Sequence, residues 1–112
     1  MNRIYQQTIT KPVYFEGIGL HSGKKSKIKI LPGNDKSGIV FKRIDLINNN
    51  TIPANYKNVS STTLSTTLQN NFGIKVSTVE HLLAALYIAE IDSAVIEIDN
   101  EEVPIMDGSA KD

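Results

Sequence analysis

The residues best suited to chemistry lie within residues 77–86, where Glu80 stands directly before His81, one of only two histidines in the chain. A carboxylate beside an imidazole can support general acid–base or metal-assisted hydrolysis. The order Glu-His, with alanine at position 84, does not match the H-E-x-x-H template of metalloproteases. The pair is compatible with hydrolytic chemistry, but from this segment alone the simpler interpretation, a helix-capping glutamate beside a surface or core histidine, is favoured.

The sequence predicts that Glu80 and His81 lie on a helix. Ser77 and Glu80 fit the S-x-x-E capping box, which predicts that a helix begins here. Two sets of apolar residues fall on different faces: Val79, Leu82, Leu83 and Leu86 on one, and Ala84, Ala85 and Ile88 on the other. The second set shares the face of His81, so the helix is apolar on two sides. We expect one side to pack on a sheet and the other against a second layer or domain, with His81 at that seam.

The composition is typical of an ordinary soluble globular chain, with 112 residues, 40% of them hydrophobic and 21% charged. This length fits one domain. The absence of cysteine excludes disulfides and thiolate metal ligands and favours a reducing compartment, so we predict a cytoplasmic location. No stretch approaches the roughly 20 apolar residues of a membrane span, and the first residues lack the apolar run of a signal peptide.

Charge is distributed unevenly although the net charge is zero. Residues 1–57 hold ten Lys/Arg and three Asp/Glu, whereas residues 58–112 hold two and nine. A basic half could bind phosphate groups, but a solvated basic face folded against an acidic one is the favoured interpretation. Nucleic acid is not expected as a partner, because the chain has no tryptophan and its basic residues are not interleaved with aromatic ones.

The remaining sequence predicts mainly strands. Alternating or β-branched patterns predict strands over residues 25–31, 38–44, 62–68, 72–76 and 94–99. Polar residues at 34–36 predict a hairpin between the first two, and Asn70-Asn71 predicts another turn. Together with the helix, these elements predict an α+β fold of two layers, in which an antiparallel or mixed sheet carries the helix on one face.

Three sequence blocks stand in order along the chain: GIGLHSGK at 17–24, STVEHL at 77–82 and EVPIMDGSA at 102–110, with LSTTL at 64–68 among them. Together they resemble the N-terminal half of the UDP-3-O-acyl-N-acetylglucosamine deacetylase family, zinc amidohydrolases that commit bacteria to lipid A synthesis. The resemblance covers essentially the whole chain. It implies two similar α+β domains with the active site between them. Residues 1–112 would be the first domain, cut short before its last helix, and the second domain would be absent.

The resemblance also implies roles for individual residues. His81 would be one of three zinc ligands, and Glu80 would be the general base that takes a proton from the attacking water. Leu64 and Ser65 would contact substrate, a nucleotide-sugar lipid precursor. His21 would be either a turn residue that holds backbone or a substrate contact. Because a catalytic zinc needs three protein ligands and an open position, this chain would contribute half of an active site and would be inactive alone.

A different class of function is compatible with the same residues. The chain could be a noncatalytic α+β module that binds a partner protein through the apolar face containing His81. In that case Glu80 only caps the helix and His81 is only buried. The enzyme interpretation instead requires a second domain that supplies a His and an Asp as the remaining zinc ligands.

Overall fold

The computed structural model describes residues 9–34, 38–62 and 65–104. The strands in these ranges are β1 (Val13–Ile18), β2 (Lys25–Pro32), β3 (Ile39–Arg43), β4 (Thr51–Pro53), β5 (Val59–Ser61), β6 (Thr67–Gln69), β7 (Lys75–Ser77) and β8 (Ala94–Ile98). Helix α1 spans Glu80–Ile88, and a short 3-10 helix spans Tyr56–Asn58. The predicted helix and the predicted strands at 25–31, 38–44 and 94–99 are confirmed.

Five strands form a mixed sheet in the order β1-β2-β8-β3-β4. Strand β8 lies between β2 and β3, antiparallel to the first and parallel to the second. The predicted hairpin between β2 and β3 is therefore wrong. Strand β8 buries Ala94, Ile96 and Ile98 completely, and a strand this apolar gains most from a central position with a neighbour on each side.

The outer face of this sheet brings the two oppositely charged halves of the chain together. Glu97 of β8, from the acidic half, is opposite Lys29 of β2 and Lys42 of β3, from the basic half. Opposite charges in such cross-strand positions attract each other modestly. The expectation that the basic segment folds against an acidic one is confirmed.

A smaller antiparallel sheet has the order β5-β6-β7. The strand predicted over 62–68 is only partly correct, because β5 ends at Ser61 and β6 begins at Thr67. The predicted strand at 72–76 begins later, at Lys75, after a turn at Asn70 that was predicted. The guanidinium of Arg43 in β3 donates a hydrogen bond of 3.2 Å to the carbonyl of Lys75, which links the two sheets.

One hydrophobic core joins both sheets and the helix. Its most buried members include Ile28, Phe41, Ile52, Leu68, Val76, Val79, Leu82, Leu86, Ile96 and Ile98. Complete burial of one such aliphatic side chain stabilises the fold by about 1.5–3 kcal/mol. The helix face predicted to pack on a sheet is therefore in the core, and the α+β fold with a mixed sheet and a helix on one face is confirmed.

The opposite face of α1 is open. Tyr87 and Ile88 are 84% and 80% exposed, and Ala84 and Ala85 are also exposed. His81 shares this exposed side. In the described part of the chain, no helix combines the length and the hydropathy needed to cross a membrane.

Candidate functional site

The candidate site is built where β7 passes into α1. The predicted capping box is wrong: Val79 is the N-cap, and no side chain caps the helix. Ser77 instead ends β7, where its N–H donates to the carbonyl of Glu101 at 2.8 Å. Its own carbonyl accepts a hydrogen bond from Val103 at 3.0 Å. Because the backbone of Ser77 is engaged in this pairing, its side chain is not placed to cap the helix.

Thr78 makes the sharp turn between the strand and the helix. Its φ of 60° lies in the left-handed region, which a β-branched residue seldom adopts. Backbone in this region costs free energy and persists only where neighbouring contacts hold it. The hydroxyl of Thr78 donates to Oε2 of Glu102 at 2.8 Å, and this is the contact that holds the turn.

Glu80 turns its carboxylate toward the segment before β6. Oε2 accepts a hydrogen bond of 2.8 Å from the backbone N–H of Thr66. The carbonyl of Thr66 in turn accepts one of 3.3 Å from the N–H of Val79. Residues 65–66 are thereby fixed against the first turn of the helix.

The second oxygen of Glu80 is buried, and none of the described residues donates a hydrogen bond to it. A buried carboxylate oxygen without a donor costs free energy, so such atoms are rare in folded proteins. Burial raises the pKa of Glu80, but the N–H groups of Thr66 and of Glu80 itself, the Thr66 hydroxyl and the charge of His81 together lower this pKa below its usual value. At neutral pH the group is therefore an ionised carboxylate, and its Oε1 has no hydrogen-bond donor among the described residues.

His81 lies beside this carboxylate, with its side chain exposed to solvent. An imidazole is a suitable zinc ligand. Within residues 9–34, 38–62 and 65–104, however, no three His, Cys, Asp or Glu side chains form a group that could hold a metal ion. His81 thus fits the requirements for one ligand, and any complete site needs donors from outside the described residues.

A second carboxylate, that of Glu102, is almost fully buried, with 3% of its surface exposed. It accepts hydrogen bonds from the backbone N–H groups of His21 and Ser22, at 3.0 and 2.7 Å, and from Thr78. Burial alone would raise its pKa, but these donors lower the pKa of Glu102 to about 2. The carboxylate is therefore charged at every physiological pH.

A cleft of about 510 Å³ opens beside Glu102. Its lining consists of His21, Ser22, Lys24, Ser61, Ser65, Thr67, Ser77, Asn100, Glu101 and Glu102. Ser65, a predicted substrate contact, faces this space, whereas Leu64 lies outside the described residues. Neither Glu80 nor His81 lines the cleft. The position of the cleft therefore does not identify the reacting residues, and the candidate site is defined by the hydrogen bonds and burial around Glu80.

Two alternatives from the sequence can now be compared with the geometry. The backbone N–H of His21 donates a hydrogen bond to Glu102, as expected for a residue that holds a turn, and His21 also lines the cleft. A contact between His21 and substrate stays a prediction. The simpler interpretation of the Glu-His pair is wrong about Glu80, which does not cap the helix, whereas the exposed His81 is compatible with the surface histidine of that interpretation.

Three residues of the site were not predicted: Thr66, Thr78 and Glu102. Glu102 lies in the third sequence block, but its burial depends on contacts with residues about 80 positions away. Thr66 and Thr78 act through a backbone N–H and an unusual φ, which residue type does not reveal. Only the block pattern could have drawn attention to these positions.

An α+β domain that presents a carboxylate and an exposed imidazole at the start of one helix has residue types that hydrolases use. The chain belongs to the UDP-3-O-acyl N-acetylglycosamine deacetylase family (LpxC), whose family model matches residues 6–112. Among its relatives are the UDP-3-O-acyl-N-acetylglucosamine deacetylases of Shewanella denitrificans and Shewanella baltica, each 51% identical over 107 residues. These matches cover 96% of this chain and 35% of each relative. The chain thus spans about a third of the length of the curated relatives that it matches.

Proposed function

We propose that this chain forms the first domain of a zinc-dependent deacetylase that hydrolyses the N-acetyl group of UDP-3-O-acyl-N-acetylglucosamine, the committed step of lipid A synthesis. Family membership supports the reaction class. One observation supports the assignment to this site: Oε1 of Glu80 is buried without a hydrogen-bond donor among the described residues, and the exposed His81 is the next residue. A second domain would supply the remaining zinc ligands, and the site would lie between the two domains.

Glu80 is the proposed general base. The N–H of Thr66 holds Oε2 at 2.8 Å and so fixes the orientation of the carboxylate, and Oε1, which has no donor among the described residues, would take the proton from the attacking water. The lowered pKa of Glu80 keeps this oxygen unprotonated at neutral pH. A bound zinc ion would supply a Lewis acid that brings the pKa of a ligated water to about 7.

His81 is the proposed zinc ligand in this chain. It directly follows Glu80 in the first turn of α1, so the proposed zinc ligand and the proposed base would come from the same turn of one helix. Leu64 and Ser65 are proposed substrate contacts, because the neighbouring Thr66 is bonded to Glu80. We further propose that the complete protein works in the cytoplasm on a nucleotide-sugar lipid precursor, and that this chain alone is inactive.

A chimera tests the proposal directly. This chain would replace the matching third of the Shewanella denitrificans deacetylase, and deacetylation and bound zinc would be measured. We expect the chimera to be active and the 112-residue chain to be inactive. Glu80→Gln should lower kcat by roughly 100-fold or more while zinc is retained, because it removes the proton acceptor and leaves the ligand. His81→Ala should lower the zinc content itself.

Glu97→Gln is the matched control, because Glu97 lies on the outer face of β8, away from the helix start. It should leave both kcat and zinc content unchanged. A folded, zinc-loaded Glu80→Gln chimera that turns over normally would refute the role of Glu80 as base. An unsubstituted chimera that folds but is inactive would refute the proposed reaction for this chain.

The rival function, a noncatalytic module that binds a partner protein, retains one observation in its favour. The helix face with Ala84, Ala85 and Ile88 is exposed and apolar, as a docking surface would be. In the proposed enzyme the same face is covered by the second domain. An inactive but correctly folded chimera would favour the rival.

A further inference from the structure

The carboxylate of Glu102 connects three separate segments of the chain. Its two oxygens accept hydrogen bonds from the N–H groups of His21 and Ser22, in the turn between β1 and β2, and from the hydroxyl of Thr78. Its own backbone carbonyl accepts a hydrogen bond of 3.1 Å from the buried hydroxyl of Ser26 in β2. The β1–β2 turn and the start of α1 are thus tied to a single side chain.

Neutral donors alone satisfy this buried charge. Among the described residues, no Lys, Arg or His side chain forms an ion pair with Glu102, so its charge is balanced by backbone N–H groups and hydroxyls. Hydrogen bonds to an ionised acceptor are short, directional and stronger than neutral ones. Removal of such an acceptor leaves buried donors unsatisfied, which makes the arrangement rigid.

The β1–β2 turn is shaped to receive this carboxylate. A Cβ at Gly19 would overlap the Glu102 carboxylate and lie 2.6 Å from the hydroxyl oxygen of Ser22, so a larger residue would displace these two side chains. The turn closes through hydrogen bonds between Gly19 and Lys24 and between Gly23 and Gly19, at 2.9 and 3.0 Å. Gly23 has a φ of 68°, which glycine adopts without strain.

Glu102 also holds the turn at Thr78, which connects β7 to α1. Thr78 adopts its left-handed conformation two residues before Glu80, so its backbone angles set the direction in which α1 leaves β7. The pairing of Ser77 with Glu101 and Val103 keeps the Glu102 side chain in register with Thr78. A shift of this turn would move the proposed base and the proposed zinc ligand together.

We propose that Glu102 is a positioning residue that fixes Thr78 against the β1–β2 turn and so sets the direction in which α1 presents Glu80 and His81. The importance of this role for catalysis rests on the proposed function, whereas the positioning itself does not. The hydrogen bond from Thr66 to Glu80 gives a direct readout of the helix direction, since it forms only when the first turn of α1 faces residues 65–66.

The first test uses NMR on the isotope-labelled 112-residue chain, with the amide resonances of Thr66, His21 and Ser22 as probes. Glu102→Gln should shift the His21 and Ser22 amides upfield, because a neutral amide oxygen is a weaker acceptor. It should also shift the Thr66 amide, although Thr66 does not touch Glu102. Glu16→Gln, which removes an exposed charge from β1, is the matched control and should leave all three amides unchanged.

Thr78 provides a second pair of variants in case Glu102→Gln fails to fold. Thr78→Val keeps the shape and removes only the hydroxyl, so it should shift the Thr66 amide. Thr78→Ser keeps the hydroxyl and should restore the original spectrum. A folded Glu102→Gln or Thr78→Val chain in which the Thr66 amide is unchanged would overturn the proposal.

In the active chimera, the same variants separate positioning from general stability. Glu102→Gln and Thr78→Val should lower kcat by about 10- to 100-fold with little change in KM, because a displacement of about 1 Å costs that much in rate. Thr78→Ser should recover the lost rate. If these variants lower only the melting temperature and leave kcat intact, positioning by Glu102 does not contribute to catalysis. If the unsubstituted chimera is inactive but Thr66 responds as expected, the proposed function fails and the positioning role stands.

Discussion

Two carboxylates near the start of α1 differ in how many of their oxygens accept hydrogen bonds. Both oxygens of Glu102 accept hydrogen bonds, whereas Glu80 uses one oxygen for Thr66 and keeps the other free. A saturated carboxylate holds structure, and one with a free oxygen can accept a proton. The sequence pattern identifies Glu80 through its neighbour His81, but it contains no signal for this division of roles, which depends on burial and on distant donors.

The lowered pKa of Glu102 predicts a loss of stability in acid. Its folded-state pKa of about 2 lies below the unfolded value, so its contribution to the free energy of unfolding is complete above the unfolded pKa of 4.5. This contribution should decrease as the pH falls from about 5 toward 2, by at most about 3 kcal/mol. Glu80 has a lowered pKa and contributes in the same direction.

Urea denaturation of the chain at pH 6, 4, 3 and 2 checks this prediction, with Glu102→Gln as the test variant. The variant should be less stable at pH 6 and should lose less stability than the parent on acidification. Glu16→Gln, at an exposed position, should follow the parent curve. Equal slopes for the parent and Glu102→Gln would show that the folded-state pKa of Glu102 is not depressed.

At the scale of elements, local sequence patterns predict helices and strands better than they predict which strands pair in a sheet. The periodicity of α1, the alternation of β2 and the apolar run of β8 each reflect how one element is buried, and all three were predicted. Strand β1 was not predicted, and β2 does not pair with β3 because β8 comes between them. The loop after β2 contains turn residues that suit a hairpin, and only the competition of a more apolar strand from further along the chain excludes it.

The two faces of α1 predict opposite results for two aliphatic truncations. Leu82 is 1% exposed within the core, so Leu82→Ala should lower the free energy of unfolding by about 2–5 kcal/mol. Ile88 is 80% exposed, so Ile88→Ala should change it by less than about 0.5 kcal/mol in this chain. Thermal or urea denaturation of the two variants measures the difference. Similar losses for both would mean that the outer face of the helix is already covered in solution.

At the scale of the molecule, the fold buries one apolar face of α1 and leaves the other face exposed to solvent. The core takes Leu82 and Leu86, while Tyr87 and Ile88 remain exposed. The two-sided apolar pattern of the helix predicts this outcome, although it does not show what covers the second side. Since the curated relatives are about three times as long as this chain, we propose that additional chain covers it, as the second domain of the proposed enzyme.

The uncovered face predicts how the 112-residue chain behaves alone. An apolar patch that includes Ala84, Ala85 and Ile88 should bind hydrophobic dyes and promote self-association at rising concentration. Light scattering and dye fluorescence measure both effects, and the chimera should suppress them because its additional chain would cover the patch. Ile88→Gln should reduce dye binding, whereas Ile47→Gln should not, although Ile47 is 92% exposed, because it lies in the loop between β3 and β4. A monomeric chain without dye binding would remove the structural argument for a seam at His81 and leave its proposed zinc role dependent on family membership alone.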